Sequence, residues 1–388
     1  MQQKDWPNFN KSLIKKVVNV INSGKINYTS GTFGKSFEKK FSKFIGNKYS
    51  LAICNGTAAL EVAIKSLRIP KNSEILVTGR SFFSSAACIV NTGNFPVFVD
   101  VDLKTQNISL KEIKAKITKK TKAIICVHLA GLPCKMKEII KISKKNNLKV
   151  IEDCSQAHGA SIDAKHVGSF GDVSTWSFCT DKIISTLGEG GMISTNNKDI
   201  YDYCQAQINH GTVLSKKNNV KESFVYNKLF FGTNLRLTEI QSVAGLEQLK
   251  QLQKIQIKRE KMAKDFFKII ENYDDWIYSY FPKKNIKNAW YRLYFFLKKK
   301  NKDKKNLRTN LILSLKTKSI RCFTGSCPEI YLEKAFRKLK KFKVKRLINC
   351  KTLGETSIAL DINHTLSNNE HKKNLSAFKL ILEKTFKT

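Results

Sequence analysis

The sequence predicts an α/β fold, with a large domain built on a mostly parallel central sheet flanked by helices and a smaller C-terminal α+β domain. Between about residues 50 and 200, short apolar runs alternate with helical stretches, which is the pattern of βαβ units. Beyond about residue 265 the pattern changes to aromatic strands, a basic loop at 298–305 and a closing helix. The chain has 388 residues, two to three times the length of a typical domain. We therefore expect a large domain at 1–255, including an N-terminal arm, and a small domain at 256–388.

Apolar runs bounded by polar or glycine-rich segments mark the strands of the predicted large sheet, which are 50–54, 74–78, 97–101, 123–127, 149–152, 173–178 and 192–195. Apolar residues at helical spacing predict helices at 84–91, 135–146 and 238 to about 270. A strand at 290–297 and a helix from about 368 to 386 follow in the C-terminal part. Right-handed crossovers between sequential parallel strands are expected to bring the strands' carboxyl ends to one edge of the sheet.

The charge balance is unusual, because 70 Lys and Arg residues against 31 Asp and Glu residues leave a formal charge of +39. A nucleic-acid track, an anionic membrane surface or a pocket for a phosphorylated substrate could each use such an excess. In a fourth interpretation, an AT-rich genome places lysine at exposed positions and the charge has no mechanistic role. The lysine runs at 298–300, 304–305 and 340–341 lie beyond the candidate chemistry described below.

Composition and cysteine usage favour an intracellular protein. Hydrophobic residues make up 41% of the chain and charged residues 26%, as in ordinary globular proteins. The ten cysteines contain no CxxC pair, so reduced thiols are expected. Residues 1–19 lack the apolar core of a secretory signal, and no apolar run reaches the ~18–20 residues of a membrane span. We expect a cytoplasmic location without membrane insertion.

The segment Asn55-Gly56-Thr57-Ala58 lies where a predicted strand becomes a helix. Backbone N–H groups at a helix N-terminus can hold an anion, and the Thr57 hydroxyl can add a hydrogen bond. A Gly-Thr turn is also a routine strand-to-helix connection. The segment alone is therefore compatible with an anion site or with a purely structural turn.

Asp153 follows the apolar strand at 149–152, which places it at the carboxyl end of the predicted sheet, where ligands of α/β folds collect. A carboxylate there can form a salt bridge with a cationic ring nitrogen. The alternative is a helix N-cap, since Asp is among the preferred capping residues.

Lys182 lies on a loop between two predicted strands and is followed by a glycine-rich turn at 188–191. Its neighbours are apolar or small, so partial desolvation is expected to lower its pKa enough for a Schiff base to form near neutral pH. An aldehyde cofactor is the natural partner of such a lysine.

Together these segments resemble the fold type I pyridoxal-phosphate enzymes, specifically the DegT/DnrJ/StrS-type nucleotide-sugar aminotransferases. The resemblance is collinear over about residues 10–365. It is carried by the runs NGTAAL (55–60), PVFVDVD (96–102), VHLAG (127–131), ED (152–153), QAHGA (156–160), NHG (209–211), NLRLTEIQ (234–241) and GLEQL (245–249).

The resemblance implies a pyridoxal 5'-phosphate cofactor and a role for each matching residue. Lys182 is expected to form the Schiff base and, once the substrate displaces it, to act as the general acid and base. The cofactor is expected to pass through its pyridoxamine 5'-phosphate form during turnover. Asp153 is expected to pair with the pyridine nitrogen, which lets the ring accept electrons. The remaining cofactor contacts implied are Gln156 at the ring's phenolic oxygen, Phe82 stacked on the ring, and Thr57, Ala58 and Ser177 at the phosphate.

Asn234 matches an asparagine that relatives supply to the phosphate from the neighbouring subunit, so the resemblance implies a homodimer with shared active sites. The implied substrates are glutamate and a keto sugar, most often 4-keto-6-deoxy, on a nucleoside diphosphate, in the biosynthesis of surface-polysaccharide amino sugars such as those of lipopolysaccharide. No metal and no nucleic acid is expected to take part.

Departures from the family pattern leave the sugar open. Arg80 stands in the segment before the stacking aromatic, where it could reach a substrate diphosphate or be a surface arginine. The run 324–329 lacks the family's Pro-Leu-His element, and Asn363-His364 stands where relatives read His-Pro. A 3-keto substrate remains an alternative. A sugar 3-dehydratase is a second alternative, although Lys182 argues against it because dehydratases carry histidine at that position. A non-catalytic regulatory or nucleic-acid-binding protein, suggested by the charge, is a third.

Overall fold

The computed structural model describes residues 6–212, 228–298, 304–339 and 344–386. Its helices are α1 (Lys11–Asn22), α2 (Phe33–Ile45), α3 (Gly56–Ser66), α4 (Ser84–Asn91), α5 (Leu110–Lys116), α6 (Met136–Lys145), α7 (Lys198–Gln207), α8 (Glu239–Glu271), α9 (Lys304–Thr317), α10 (Lys334–Arg337), α11 (Ile348–Thr356) and α12 (Asn368–Phe386). Its strands are β1 (Tyr49–Ile53), β2 (Glu74–Thr78), β3 (Phe95–Val99), β4 (Thr121–Val127), β5 (Lys149–Asp153), β6 (Ser161–Ile162), β7 (Lys165–His166), β8 (Val173–Ser177), β9 (Gly191–Thr195), β10 (Ile277–Ser279), β11 (Ile286–Lys287), β12 (Arg292–Leu297), β13 (Cys322–Phe323) and β14 (Ser357–Asp361).

A seven-stranded sheet in the order β1-β9-β8-β5-β4-β2-β3 forms the centre of the larger part. Strands β8, β5, β4, β2 and β3 pair in parallel, and β9 pairs antiparallel with both β1 and β8. Strand β9 is reversed because a loop without a helix joins it to β8. The loop closes as a hairpin, with Phe178 N donating to Gly190 O at 2.8 Å. The predicted mostly parallel α/β sheet is confirmed.

Strand β3 begins and ends two residues earlier than predicted. The predicted strand ran to Val101, but the chain leaves the sheet at Asp100, whose carboxylate accepts hydrogen bonds from the backbone N–H groups of Asn349 and Cys350 at 2.9 Å each. Asp100 thereby caps the start of α11 instead of extending the strand. Long-range capping of this kind is invisible to local periodicity.

Helix α8 begins where predicted and ties the N-terminal helices to the sheet. Thr238 and Gln241 form a capping box at its start. The fully buried Glu239 accepts hydrogen bonds from Phe33 N at 2.6 Å and Gly34 N at 2.8 Å, so the first residue of α8 also satisfies the start of α2. These contacts fix α2 and α8 together on one face of the sheet.

The C-terminal part contains a four-stranded antiparallel sheet in the order β10-β12-β14-β13. Its apolar side chains pack with those of α8, α9 and α12 in a second core that includes Phe266, Phe295 and Phe378. A small three-stranded sheet, β11-β6-β7, adjoins the larger part.

Most residues of the lysine runs noted in the sequence lie outside the residues that the structure describes. Residues 299–303 and 340–343 lie outside the described residues, as do the side chains of 304 and 305. All ten cysteines lie in the described ranges, and each is a free thiol. Among the described residues, we find no helix that combines the length and the apolar character needed to span a membrane.

Candidate active site

Lys182 lies on the loop that joins β8 to β9. Hydrogen bonds from Thr180 N to Gly188 O at 2.9 Å and from Thr186 N to Phe178 O at 3.1 Å hold the loop in a compact form. The indole N–H of Trp6, from the N-terminal arm, donates to Lys182 O at 2.7 Å. The lysine backbone is therefore fixed from both its own loop and the start of the chain.

The Lys182 ammonium lies beside an acidic and an aromatic side chain. Its Nζ is 3.3 Å from Asp181 Oδ2 and 5.1 Å from the centroid of the Tyr291 ring, and its side chain is 16% exposed. Burial acts to lower the pKa of Lys182, but Tyr291 and Asp181 outweigh burial and raise this pKa above its ordinary value. The expectation of a lowered pKa is therefore wrong for the cofactor-free protein. Its reason, desolvation, is present, but the combined effects of Tyr291 and Asp181 on the Lys182 pKa exceed it.

Asp153 is the last residue of β5 and is buried. Ser85 Oγ donates to its Oδ2 at 2.9 Å, and Ser155 N donates to its Oδ1 at 3.2 Å. The helix N-cap alternative is wrong, because the chain continues into turns and a β-hairpin after Asp153 rather than into a helix. Asp153 instead presents a hydrogen-bonded carboxylate at the carboxyl edge of the sheet.

Ser177 ends β8, the strand that pairs in parallel with β5. The first turn of α3 packs directly against it, since a Cβ on Gly56 would lie only 2.7 Å from Ser177 Cβ. Only glycine permits this approach. The start of α3 and the ends of β5 and β8 therefore meet at one edge of the sheet.

The N-terminus of α3 has unused donors. Asn55 caps the helix by accepting a hydrogen bond from Ala58 N at 2.8 Å, whereas the N–H groups of Gly56 and Thr57 have no acceptor among the described residues. The Thr57 hydroxyl donates to Ser84 Oγ at 3.0 Å. Of the backbone donors in this turn, Gly56 and Thr57 are free for an anion, and the Ala58 amide is held by the cap. Gly56 is a candidate contact that the sequence did not single out.

Phe82 and Gln156 adjoin the same edge. Phe82 immediately precedes the residue that caps α4 and is 67% exposed, which is unusual for so large an apolar side chain. The helix it precedes carries Ser85, the donor to Asp153. Gln156 is buried and its Oε1 accepts from Ala130 N at 2.7 Å, while its amide nitrogen donates to no acceptor within the described chain.

Asn234 is exposed and forms an isolated β-bridge with Asn209. The adjacent Leu235 O accepts from Cys54 N at 2.8 Å, which holds this segment next to the end of β1. Within the described residues, Asn234 makes no hydrogen bond to another of the predicted site residues. The fold of one chain brings the other predicted site residues to one edge of the sheet and leaves Asn234 facing outward.

Arg80 is neither on the surface nor open to a ligand, so the surface alternative is wrong. Its side chain is fully buried, with Nε donating to Gln106 Oε1 and Nη2 to Ser357 Oγ, both at 3.1 Å. Its Nη1 has no partner, and burial lowers its pKa. Arg80 therefore connects β2 of the large sheet with β14 of the four-stranded sheet.

A buried cluster of His128, Glu152 and Cys154 lies next to Asp153 in the chain and has the donor set of a metal site. The histidine and the carboxylate are already used in hydrogen bonds. Glu152 accepts from His128 Nε2 at 3.1 Å and from the N–H groups of Gly168, Phe170 and Gly171 at 2.8–2.9 Å. His128 Nδ1 in turn accepts from Cys134 N at 3.0 Å, so its proton is on Nε2. The cluster serves to fix β4 and β5 relative to the following loop.

Comparison with known proteins gives a consistent result. Residues 7–379 match the DegT/DnrJ/EryC1/StrS aminotransferase family. GDP-perosamine synthase of Escherichia coli O157:H7 is 40% identical over 240 residues, which are 62% of this chain and 63% of that protein. The dTDP-3-amino-3,6-dideoxy-alpha-D-galactopyranose transaminase of Aneurinibacillus thermoaerophilus is 37% identical over 68% of this chain and 69% of its own. The X-ray structure of the aminotransferase from Psychrobacter cryohalolentis superposes with a TM-score of 0.94 at 36% identity, covering 98% of this chain and 99% of that one.

Proposed function

The chain belongs to the DegT/DnrJ/EryC1/StrS aminotransferase family, and from this premise we propose that it transfers an amino group from glutamate to a 4-keto-6-deoxy sugar carried on a nucleoside diphosphate. The protein is a pyridoxal-phosphate-dependent nucleotide-sugar aminotransferase with the fold of its family. The 4-keto-6-deoxy sugar, its nucleoside diphosphate carrier and glutamate as the amino donor are our proposals. The observation that carries the aminotransferase chemistry is the meeting of the buried Asp153 carboxylate, a helix N-terminus with free amides and the Lys182 loop at one edge of the sheet.

The chemistry of the donor set fits pyridoxal phosphate. The free amides of Gly56 and Thr57, with the hydroxyls of Thr57 and Ser177, are suited to hold a phosphate at the start of α3. The Asp153 carboxylate receives two hydrogen bonds and is suited to pair with a cationic ring nitrogen. Lys182 supplies the amine that an aldehyde requires.

When bound, the cofactor supplies an aldehyde carbon that condenses with amines and a cationic ring that accepts an electron pair. In our proposal Lys182 Nζ would hold the aldehyde group and, once released by the substrate amine, would accept and donate the proton that transamination moves. Asp153 would keep a proton on the ring nitrogen. Phe82 would stack on the ring, Gln156 would offer its amide N–H to the ring oxygen, and the Ala58 backbone would line the phosphate.

Lys182 must lose a proton before it can attack the aldehyde or accept a proton from the substrate. The Asp181 carboxylate, 3.3 Å from Nζ, favours the ammonium form. Asp181 is itself held by Tyr291, whose hydroxyl donates to Oδ2. We infer that Asp181 and Tyr291 set the pH at which the lysine becomes reactive.

A homodimer with shared sites is part of the proposal. Asn234 is exposed beside Leu229, which is 73% exposed, and the fully exposed Phe231. Such apolar exposure supports coverage by a second copy of the chain. In this arrangement Asn234 reaches the phosphate bound by the partner subunit.

We further propose the domain boundary at 255/256, within α8, and a cytoplasmic location for the enzyme. The seven-stranded and four-stranded sheets lie on either side of that boundary, which supports it. The pathway we propose leads to amino sugars of surface polysaccharides such as lipopolysaccharide.

The position of the keto group has one competing candidate. The Aneurinibacillus relative is named for a product with an amino group at C3, which supports a 3-keto sugar as the second possibility. A sugar 3-dehydratase is disfavoured because position 182 is lysine and not histidine.

The test is to load the protein with pyridoxamine phosphate and titrate it with a panel of 3-keto and 4-keto nucleotide sugars. A 4-keto-6-deoxy sugar is expected to take up the amino group, to leave as an amino sugar and to restore the visible absorbance of the lysine-bound cofactor. In the other half-reaction, glutamate converts the pyridoxal form and leaves as a 2-keto acid. If only 3-keto sugars restore this absorbance, the enzyme aminates C3 and not C4. If no nucleotide sugar restores the absorbance while glutamate still converts the pyridoxal form, the sugar assignment is wrong.

A further inference from the structure

A cavity of about 540 Å³ lies between the Lys182 loop and the four-stranded sheet. Thr180 and Asp181 line it on the loop side, and residues of β12, β13 and β14 line it on the other. Asp181 is the carboxylate whose Oδ2 is 3.3 Å from Lys182 Nζ, so the cavity adjoins the reactive amine. Its volume lies within the range of small-molecule sites.

The lining is strongly basic. Four cationic side chains face two carboxylates, namely Arg259, Arg292, Lys316 and Arg321 against Asp181 and Asp361. Both carboxylates are already in ion pairs, Asp181 with Lys182 and Asp361 with Arg292, which leaves Arg259, Lys316 and Arg321 as the excess positive charge of the lining. The charge balance of the cavity therefore favours an anionic ligand.

Arg259 contributes a charge that no hydrogen-bonded carboxylate neutralises. It is 4% exposed, and its three nitrogens donate to Trp290 O, Tyr291 O and His364 Nδ1 at 3.0–3.1 Å, all neutral acceptors. Burial lowers its pKa to about 10, which still leaves it charged near neutral pH. Arg259 thus fixes the backbone before β12 and adds positive potential to the cavity.

Arg292 is the residue best placed to bind a ligand directly. Its Nη1 is 2.7 Å from Asp361 Oδ1, yet the two are not aligned for a hydrogen bond. The rings of Tyr291 and Phe323 lie 4.8 Å and 4.5 Å from its guanidinium carbon and hold the group in place. A guanidinium has five N–H donors, so most of those on Arg292 are unused by Asp361.

We propose that this cavity is the subsite for the anionic group of a Lys182 substrate, and that Arg292 binds that group. The ligand chemistry is a carboxylate or a diphosphate held by a planar guanidinium. Two sources supply it, because glutamate carries carboxylates and the nucleotide sugar carries a diphosphate, and each must present its reacting atom to the same lysine. Asp361 holds Arg292 in position when the subsite is empty. The proposal rests on the proposed function only for the choice of these two sources.

The test measures the affinity of cofactor-loaded protein for glutarate and, separately, for UDP, GDP and dTDP by calorimetry. Arg292→Gln is expected to weaken binding of at least one probe class by about tenfold or more, since a hydrogen bond between charged groups is lost. A loss confined to glutarate assigns the subsite to the amino donor, a loss confined to the diphosphates assigns it to the nucleotide sugar, and a loss of both means that the substrates share it.

Two further variants keep the test decisive. Asp361→Asn removes the carboxylate that competes for Arg292 and is expected to tighten binding of the same probe. Misfolding of a variant would weaken binding, so a tighter affinity cannot arise from it. Arg337→Gln, an exposed arginine on α10 away from the cavity lining, is the matched control and is expected to bind all probes as the wild type does. The proposal is overturned if the wild type binds none of the probes, or if Arg292→Gln and Asp361→Asn both stay within twofold of it.

These outcomes are separable from the function assignment. If the keto-sugar panel fails but Arg292→Gln weakens glutarate binding, the sugar assignment fails and the subsite stands. If the panel succeeds while the affinities do not change, only the subsite is wrong.

Discussion

The large-sheet wall of the site, formed by Thr57, Phe82, Asp153, Gln156 and Ser177, differs from the wall on the four-stranded sheet, formed by Arg259, Arg292, Arg321 and Asp361. On the large-sheet wall, Asp153 and Thr57 are fixed by short hydrogen bonds to serines of α4. On the opposite wall, Arg292 and Asp361 lie close together without an aligned hydrogen bond. The first arrangement suits a resident group that does not change, and the second suits ligands that arrive and leave.

The largest effect is expected from the large-sheet wall. Asp153→Ala is expected to reduce transamination by about 10²-fold or more while leaving the fold intact, because the ring nitrogen loses the group that keeps it protonated. Single-turnover conversion of the bound cofactor by glutamate measures this directly. Asp153→Glu serves as the control that retains charge, and a loss below tenfold in Asp153→Ala would remove Asp153 from its assigned role.

Asn234 tests whether the large-sheet wall is completed by a second chain. Asn234→Ala is expected to weaken cofactor retention, and Lys182→Ala is expected to abolish turnover. In mixtures of the two variants, each heterodimer has one site that carries both changes and one intact site, so part of the activity is expected to return. Subunit mixing followed by activity assay measures this recovery. A fully active monomer in sedimentation, or no recovery after verified exchange, would contradict shared sites.

Asp181 lies on the Lys182 loop and lines the cavity beside the four-stranded sheet. Because its carboxylate contributes to raising the pKa of Lys182, Asp181→Asn is expected to lower that pKa. The neutral amine is the form that captures pyridoxal phosphate, so the midpoint of the capture rate against pH should move to lower pH. Stopped-flow mixing of cofactor-free protein with the cofactor gives the profile. A midpoint that moves upward would reverse the electrostatic account.

His158 lies behind the large-sheet wall, fully buried between Trp176 and Phe178. Burial, with a smaller effect from the Lys182 charge, lowers its pKa to about 3. A histidine in the unfolded chain has a pKa near 6.5, so it binds a proton as the pH falls below that value, whereas the folded protein with its lowered pKa does not. Protonation therefore favours the unfolded chain, and the free energy of unfolding decreases as the pH falls.

At pH 5 this loss amounts to about 2 kcal/mol relative to pH 7. His158→Phe is therefore expected to flatten the decline of unfolding free energy between pH 7 and pH 5. Urea denaturation at the two pH values measures the difference. An unchanged decline in the variant would show that His158 does not titrate as its burial implies.

The large-sheet wall could be predicted from sequence because each of its residues follows a recognisable strand or opens a helix. Carboxyl ends of parallel strands meet at one edge, so the positions of Asp153 and Ser177 follow from topology alone. The opposite wall could not be predicted, because Arg259 on α8, Arg292 on β12 and Asp361 on β14 are distant in sequence and meet only through tertiary packing.

Two residues show where local reasoning fails. The neighbours of Lys182 in the chain indicate desolvation correctly, but the side-chain direction of Asp181 and the approach of Tyr291 are tertiary features, and they reverse the pKa shift. Arg80 has a polar, turn-like sequence context, yet its guanidinium is buried by hydrogen bonding to Gln106 and Ser357. Neither outcome is encoded within a window of a few residues.

The most direct test of the central claim is to reduce the cofactor-loaded protein with borohydride and locate the covalently attached pyridoxyl group by peptide mass spectrometry. The chain has 61 lysines that could in principle be labelled, so attachment at a single one is a selective result. The account predicts one modified lysine, Lys182, at close to one group per chain, and none in a sample first converted by glutamate. Attachment at a different lysine, or scattered over many, would contradict it.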